Sequence, residues 1–242
     1  MVEIKSLVSP VASFSMKSRS YLSMNHILSA VSFAQKADDI ERTYSRHKDE
    51  SYKISYDHRG YVIATIMLSI SFLEANINEF CADSEENRTD NNKTVFNKRD
   101  LIGRLWTEGI PRTAKYKIIE KYNFVLSVYE RDTFKIGCKP GQDVLLLTKL
   151  RNALIHYEPE TVLCDATPSS NPGDKHSFEK MFKGKFEINP IAGRGDAFYP
   201  NKLLGSSCAK WAAKSAISFA DSFFDKIEIP RPYEHIRDDI II

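Results

Sequence analysis

The amino-acid sequence predicts an all-α fold, a helical bundle of four to six helices, from three observations. Apolar residues recur at helical spacing over most of the chain, and turn-forming residues separate these stretches. A lone strand-like segment such as KFEI at 185–188 could not form a sheet by itself. We expect helices over about 23–46, 58–82, 97–108, 113–130, 141–157 and 203–228.

Turn-forming segments separate these predicted helices. DSEENRTDNN at 83–92 lies between the second and the third, and KPGQD at 139–143 lies between the fourth and the fifth. The least regular part, 165–200, is rich in proline and glycine. We expect it to form an irregular excursion before the last helix, with a short helix near 176–182.

The second predicted helix, DHRGYVIATIMLSISFLEANINEFCAD, carries a continuous apolar stripe that contains one acidic residue. Glu74 lies within the stripe rather than opposite to it. Because an unpaired charge on a buried face is costly, Glu74 should have a basic partner. The stripe consists of Val62, Ile63, Ile66, Met67, Ile70, Leu73 and Ile77.

The fifth predicted helix ends in LTKLRNALIHYEPE at 147–160, where Pro159 stops it. Arg151 lies inside the apolar arc of this helix, which is an unexpected place for a charge. The arc is formed by Leu147, Leu150, Leu154 and Ile155.

A second face of the same helix carries Asn152 and His156, four residues apart, together with Leu145. The helix is therefore apolar on more than one side. We expect it to have neighbours on both sides.

Glu74 and Arg151 place opposite charges on two core faces, and the simplest resolution is that they form an ion pair. One interpretation is a structural salt bridge, with His156 as a hydrogen-bonded histidine near a helix end. The other is an acid–base site without a metal, since histidine titrates near neutrality and arginine stabilises phosphate charge. The spacing of these residues leaves both interpretations open.

The last predicted helix, SSCAKWAAKSAISFADSFFDKI, interleaves alanine and serine with aromatic residues. Small residues let a neighbouring helix come close, and the aromatics fill the remaining gaps. We expect this helix to be part of the core, without a chemical role.

Length and composition describe one ordinary domain. The chain has 242 residues, of which 42% are hydrophobic and 27% are charged, enough for a large core. No repeat or linker divides it, so we expect a single domain over 1–242. Its core should comprise about 23–160 together with the closing helix at 203–228.

The charge balance and the cysteines exclude several classes of protein. A net charge of +2 is too small for an extended nucleic-acid surface, so any basic surface must be local. The cysteines are each isolated by more than twenty residues, which indicates neither disulfide bonds nor a metal-ligand pair. They are Cys81, Cys138, Cys164 and Cys208.

Targeting and cofactor motifs are not apparent. We expect no apolar run to reach membrane-spanning length, and the opening MVEIKSLVSPVASFSMKSRSYLSMN has no continuous hydrophobic region. A Gly-rich phosphate loop, a His/Glu metal motif and a Gly-x-Ser-x-Gly elbow are missing from the sequence. We therefore expect a cytoplasmic protein with no cofactor, no metal and no membrane association.

The motif RNALIH at 151–156 resembles the signature of the HEPN superfamily, small α-helical bundles of which many are metal-independent endoribonucleases. The placement is similar, because the family signature ends a late helix and an acidic residue on an earlier long helix often accompanies it. That acidic residue corresponds to Glu74. The resemblance covers about 23–160 and 203–228. Some relatives carry a tyrosine two residues after the histidine, where this chain has Glu158.

This resemblance implies a role for each of four residues. Arg151 would bind and neutralise the scissile phosphate, and Glu74 would hold Arg151 in place. His156 would act as general base on the ribose 2′-hydroxyl or as general acid on the leaving oxygen, and Asn152 would orient both by hydrogen bonds.

The resemblance also implies a homodimer, in which two signature helices pair across a two-fold axis. Arg151 and His156 lie five residues apart, about 140° around one helix, so they do not share a face. A second copy could supply the missing partner.

A local basic segment between 97 and 121 is the predicted RNA surface. Trp106, Tyr116 and Tyr122 are interleaved with its cations, a combination that suits single-stranded RNA. The other interpretation is a solvated helix face with core aromatics. The predicted RNA-binding residues are Lys98, Arg99, Arg104, Arg112, Lys115 and Lys117, and Lys121 extends the run.

The sequence thus predicts a metal-independent endoribonuclease, of the kind that serves as a toxin or an anti-phage defence effector under an antitoxin or regulatory partner. The alternative is a HEPN-like module without catalysis that binds or dimerises with a partner such as a nucleotidyltransferase. A third interpretation is an all-α interaction protein in which the motif is accidental. The presence of both Arg151 and His156 favours the enzyme.

Overall fold

A computed structural model describes residues 18–44, 51–86, 97–112, 115–159 and 177–242. Over these residues the chain is helical without any strand, which confirms the predicted all-α bundle. A π-helical turn at Phe198–Lys202 and a 3-10 segment at Glu234–Ile240 accompany the α-helices. The α-helices are α1 (Ser23–Tyr44), α2 (Ser51–Glu86), α3 (Lys98–Thr107), α4 (Ile118–Val128), α5 (Gly141–Ile155), α6 (Ser177–Phe182) and α7 (Ser206–Ile227).

The helix ends differ most from prediction at α2 and α4. α2 extends beyond the predicted 58–82 at both ends, because its polar flanks contain no proline to stop it. α4 begins at Ile118, later than predicted. The backbone N–H of Lys117 donates to Glu120 Oε2 at 2.9 Å, which satisfies a donor at the start of the helix.

The irregular excursion before α7 is described from residue 177 onward. α6 forms where a short helix was predicted, and 185–188 adopts no strand. Cys81 and Cys208 are buried free thiols and Cys138 is an exposed one. Cys164 lies outside the described residues.

α2 is the central helix of the bundle. It packs against α1, α3, α4, α5 and α7, and α7 in turn packs against α1, α4 and α5. Aromatic rings of α7 contact the other helices edge to face: the ring centroids of Phe223 and Tyr122 are 4.8 Å apart, and those of Phe223 and Phe80 are 5.7 Å apart. The core role predicted for the last helix is therefore confirmed.

The apolar stretch of α2 is longer than the sequence patterns predicted. The stretch Tyr56–Glu85 is long and apolar enough, by length and composition alone, to cross a membrane. The prediction that no run reaches that length is therefore wrong. Half of its apolar window is buried inside the bundle, and core helices of soluble proteins meet the same criterion, so this finding is weak evidence for a membrane span.

Two helices begin at a serine that is bound by a carboxylate from another helix. At the start of α1, Glu79 of α2 accepts from the backbone N–H of Ser23 at 2.9 Å and from its hydroxyl at 2.5 Å. At the start of α7, Glu41 of α1 accepts from the backbone N–H of Ser206 at 2.5 Å and from its hydroxyl at 2.6 Å. Each carboxylate satisfies a free helix N-terminus and complements its positive dipole.

The buried Glu41 has a further partner in α2. His58 Nε2 lies 2.7 Å from Glu41 Oε1, and both side chains are almost fully buried. This cluster joins α1, α2 and the first turn of α7.

α3 lies against the C-terminal part of α2 at a close approach. A Cβ atom added to Gly103 would lie 2.6 Å from the backbone oxygen of Ser84, so a larger residue would push the two helices apart. Ser84 is ten residues after Glu74, which is about 15 Å along the helix. The basic segment on α3 is therefore separated from the Glu74 region.

Candidate functional site

An open cavity of about 450 Å³ lies where α1, α2 and α5 meet. α2 supplies one wall, and α1 and α5 supply one or two residues each. Its apolar lining consists of Met67, Ile70, Ala75 and Ile155. Its polar lining consists of His26, Ser71, Glu74, Asn78 and Arg151.

Glu74 and Arg151 both face this cavity, but the prediction that they form an ion pair is wrong. Glu74 Oε1 accepts a hydrogen bond from Lys121 Nζ of α4. The Lys121 side chain is 2% exposed, whereas that of Glu74 is 40% exposed. A buried ammonium depends on a carboxylate partner more than a half-buried guanidinium does, because water can reach the latter.

Asn78 is a second acceptor for the buried ammonium of Lys121. Its Oδ1 lies 3.3 Å from Lys121 Nζ, so the amide and the carboxylate of α2 both accept from the ammonium.

Burial raises the pKa of the nearby Cys81 thiol to about 12, and the charge of Lys121 lowers it only in part. Burial likewise raises the pKa of Tyr122. Cys81 and Tyr122 therefore stay protonated and take no part in acid–base chemistry at neutral pH.

Arg151 is half-buried and has no hydrogen bond or ion pair to any part of the chain that the structure describes. Its Nε atom is shielded from solvent and still lacks an acceptor. A guanidinium offers five N–H donors in a planar fork, which matches the oxygens of a carboxylate or phosphate. Arg151 is thus a cation at a cavity, without an acceptor among the described residues.

His26 is the residue of this cavity that the sequence patterns did not indicate. It lies in the first turn of α1 and is half-buried, and its backbone N–H donates to the carbonyl oxygen of Leu22 at 2.9 Å. The carboxylate of Glu79 fixes where α1 begins, so it also fixes where His26 lies. A single histidine without a partner at helical spacing gives no sequence signal for such a role.

His156 and Asn152 lie outside the cavity. Both are exposed, and His156 is the C-cap of α5, where its backbone N–H donates to the carbonyl oxygen of Asn152 at 2.9 Å. Ile155 and Tyr157 beside them are 51% and 48% exposed. α5 does have neighbours on more than one side, because it packs against α2, α4 and α7, but its C-terminal end with Asn152 and His156 is open to solvent.

The predicted RNA-binding cations lie on α3 and on the turn before α4. Lys98 Nζ donates to the carbonyl oxygen of Tyr129 at 3.2 Å and lies 3.4 Å from the carboxylate of Glu130. Arg99 is half-buried, with its Nε atom unpaired. The exposed members are Arg104, Arg112, Lys115 and Lys117.

The aromatic residues among these cations do not form a surface for base stacking. Trp106 is 7% exposed and Tyr122 is fully buried, so the interpretation as core aromatics is confirmed for both. Arg112 lies 5.5 Å from the Trp106 ring centroid. Lys121 is buried too, and Tyr116 is half-buried. Binding of RNA by the exposed cations stays a prediction.

The described residues contain no group of three or more His, Cys, Asp or Glu side chains that could hold a metal ion. The polar groups that converge on the cavity are an imidazole, a carboxylate, two other hydrogen-bonding side chains and a guanidinium. Together these groups can bind an anion and move a proton beside it.

Comparison of the chain with protein-family models, with curated proteins and with solved structures finds no match. The HEPN resemblance therefore depends on the RNALIH motif and on the acidic residue in the earlier long helix.

Proposed function

We propose that the protein is an endoribonuclease that binds the scissile phosphodiester at the Arg151 cavity. The observation that supports this proposal best is a half-buried arginine without an acceptor in the described chain, which lines the same cavity as a histidine. An anion is the ligand that such an arginine lacks. A histidine next to a bound phosphodiester is suited to proton transfer.

The proposed reaction uses the nucleophile that RNA itself carries. A base removes the proton from a ribose 2′-hydroxyl, whose oxygen attacks the adjacent phosphorus. The bond from phosphorus to the 5′-oxygen breaks, and an acid protonates that oxygen. The products are a 2′,3′-cyclic phosphate and a 5′-hydroxyl. Arg151 stabilises the additional negative charge that develops on the phosphoryl oxygens.

Among the described residues, His26 and His156 are the histidines that we assign to this chemistry. His26 lines the same cavity as Arg151, so one subunit can bring both to one phosphate. His156 is exposed about 140° around α5 from Arg151, so it can serve the cavity of a second subunit. We propose that His26 acts within its own subunit and that His156 acts across a homodimer.

The dimer surface in this proposal is the exposed end of α5. Ile155 and Tyr157 are large hydrophobic side chains that flank His156 and are about half exposed. Their burial against a second copy would contribute hydrophobic stabilisation. The same contact would bring His156 next to another subunit.

The second candidate function is a binding module without catalysis. It is favoured by one observation, the separation of His156 and Asn152 from the cavity that contains Arg151. In that case the cavity binds an anionic group of a partner, and the exposed end of α5 forms the contact.

RNA cleavage by the purified protein tests the first proposal. Cleavage should persist in EDTA, and a single deoxyribose 5′ of the scissile phosphate should abolish it, because the nucleophile is then missing. Arg151→Met should lower the rate about 10²-fold to 10³-fold, as loss of a preorganised oxyanion donor does. Arg194→Met removes an exposed arginine that lies outside the cavity and outside the predicted RNA surface, and it is the matched control. Products with 5′-phosphate ends would refute the mechanism, and failure to cut any RNA would favour the binding module.

Mixing two impaired variants tests whether His156 acts across a dimer. Arg151→Met and His156→Gln should each cleave at about a hundredth of the parent rate or less when alone. A mixed dimer should contain one site with neither change, so the mixture should recover about a quarter of the parent activity if subunits pair at random. No recovery from a mixture proven to exchange subunits would show that Arg151 and His156 do not act across the dimer.

A further inference from the structure

A second cavity, of about 550 Å³, lies between α7, the start of α5 and the segment that follows α6. It shares no lining residue with the Arg151 cavity. α7 lines it from Ser207 to Ser218, a stretch of about 16 Å along the helix axis. An extended peptide rises about 3.3 Å per residue, so about five of its residues would span this length. The cavity is thus long enough for a short extended peptide.

Two lysines at one end of this cavity share a carboxylate. The Asp143 carboxylate lies 2.9 Å from Lys185 Nζ and 3.6 Å from Lys139 Nζ. The Asp143 side chain is only 9% exposed, so it is fixed in place. One carboxylate shared between two lysines positions both ammonium groups and offsets only one of their charges.

Two further lysines line the cavity from α7, one turn apart. Asp38 lies 2.9 Å from Lys210 Nζ, but it also lies 2.6 Å from the guanidinium of Arg42. Lys214 is exposed and has no ion pair with the residues that the structure describes. Because the lining has four lysines and two carboxylates, those of Asp143 and Glu187, its net charge is +2. This charge favours an acidic ligand.

An aromatic surface lies beside these cations. Trp211 is half-buried, and its ring centroid lies 5.4 Å from that of Phe186 and 5.5 Å from that of Phe182. Trp211 and Phe186 both line the cavity. Because the buried Phe182 packs against it, the indole is held in one orientation and offers its remaining surface to a large side chain.

The other polar groups of the lining suit a peptide backbone. Ser215 and Ser218 line the cavity from α7, and their hydroxyls can both donate to a carbonyl oxygen and accept from an N–H. Glu187 directly follows Phe186 and is exposed. Its carboxylate can accept from a peptide N–H, whereas it would repel a phosphate. The mixture of lysines and a carboxylate therefore favours a peptide over a phosphate chain.

We propose that this cavity is a docking site for an acidic peptide segment of a partner protein. One large aromatic or apolar side chain of the segment packs against Trp211 and Phe186, and its acidic side chains pair with the lysines. Buried aromatic anchors supply much of the affinity of such contacts, and complementary charge supplies specificity. A flat anionic membrane would reach the exposed Lys214 but not the half-buried Trp211 inside the cavity. The proposal does not depend on RNA cleavage.

Binding of fluorescent peptides to the full chain, followed by fluorescence polarisation, tests this proposal. The probe is a seven-residue peptide with a central tryptophan and glutamate at the six other positions. One comparison peptide has glycine in place of the tryptophan, and the other has glutamine in place of every glutamate. The probe should bind at least about tenfold more tightly than either one, because each comparison peptide lacks one of the two kinds of contact.

Two lysine variants test whether the cations of this cavity bind the glutamates. Lys214→Glu should weaken binding of the probe about tenfold through the reversed charge. Lys149→Glu makes the same change of net charge at an exposed lysine that lines neither cavity, and it should leave the affinity unchanged. Equal effects of the two substitutions would overturn the proposal, because the attraction would then depend on the net charge of the protein alone.

Trp211→Leu tests the aromatic anchor separately from the charge. It should weaken binding of the probe about tenfold and leave binding of the glycine peptide unchanged. Because Trp211 packs against Phe182, circular dichroism has to show that this variant is folded. If it unfolds, the difference between the probe and the glycine peptide on the parent protein decides the same point.

The proposal is overturned if the probe does not bind, or if either comparison peptide binds as tightly as the probe does. Two other ligands define the remaining outcomes, vesicles of phosphatidylserine with phosphatidylcholine and a ten-nucleotide single-stranded RNA. Tighter binding of either one than of the probe, with the same sensitivity to Lys214→Glu, would also overturn the proposal. The cavity would then belong to a membrane-binding or an RNA-binding surface.

Discussion

The contacts of α2 with α4 and with α5 each include one cation, and the two cations differ in burial and in pairing. Lys121 of α4 is almost fully buried and donates to Glu74, whereas Arg151 of α5 is half-buried beside the same carboxylate and has no partner among the described residues. The first contact is a completed ion pair inside the bundle. The second leaves a cation at an open cavity. The carboxylate of α2 thus stabilises the buried Lys121, and Arg151 has no protein partner among the described residues.

The largest loss of unfolding free energy should follow from removing the carboxylate of the Glu74–Lys121 ion pair. Glu74→Ala leaves the Lys121 ammonium buried without its charged partner, so unfolding free energy should fall by about 3 kcal/mol. Urea denaturation followed by circular dichroism measures this change. A loss below about 1 kcal/mol would mean that water or Asn78 replaces the carboxylate, and that the contact with α4 does not depend on the ion pair.

A smaller effect should follow from removing the lysine. Lys121→Met fills a similar volume with apolar atoms, and Glu74, which is 40% exposed, can be solvated, so the loss should be about 1 kcal/mol or less. In the Lys121→Met background, Glu74→Ala should be nearly neutral. The four proteins form a double-mutant cycle, and additive effects of the two substitutions would show that the residues are not coupled.

The smallest effect on stability should follow from changing the unpaired cation. Arg151→Met breaks no hydrogen bond or ion pair among the described residues, so the unfolding free energy should change by no more than about 0.5 kcal/mol. Added tripolyphosphate should raise the melting temperature of the parent protein more than that of the Arg151→Met protein. Equal shifts would show that Arg151 does not bind the anion, and a large intrinsic loss would show that it has a structural role.

The sequence predicted the elements of the bundle better than the contacts between them. The apolar stripe of α2 and the alternation of small and aromatic residues in α7 each have a period that only a buried helix explains. Glu74 also stood out, because a charge within such a stripe needs a partner. Which partner it has depends on how α4 and α5 are placed around α2, and periodicity within one helix carries no information on that.

Lys121 was misassigned for a related reason. It follows a run of exposed cations that ends at Lys117. Lys121 lies four residues later on the buried side of α4. Trp106 and Tyr122, in the same segment, could be predicted as core aromatics because large apolar rings are usually buried. His26 could not be predicted, since its position depends on the carboxylate of Glu79, which is far away in sequence.

The contact of Glu41 with Ser206 also bears on the order in which the chain is made. The two residues are 165 positions apart, so a ribosome has released most of the polypeptide before the start of α7 can meet its carboxylate. During that interval α1 and α2 can associate through local contacts, but until the last helix docks only water can accept from the donors of its first turn. The final step of assembly therefore depends on a loop closure of most of the chain, and nascent chains that lack α7 should expose the surface of α2 that it covers.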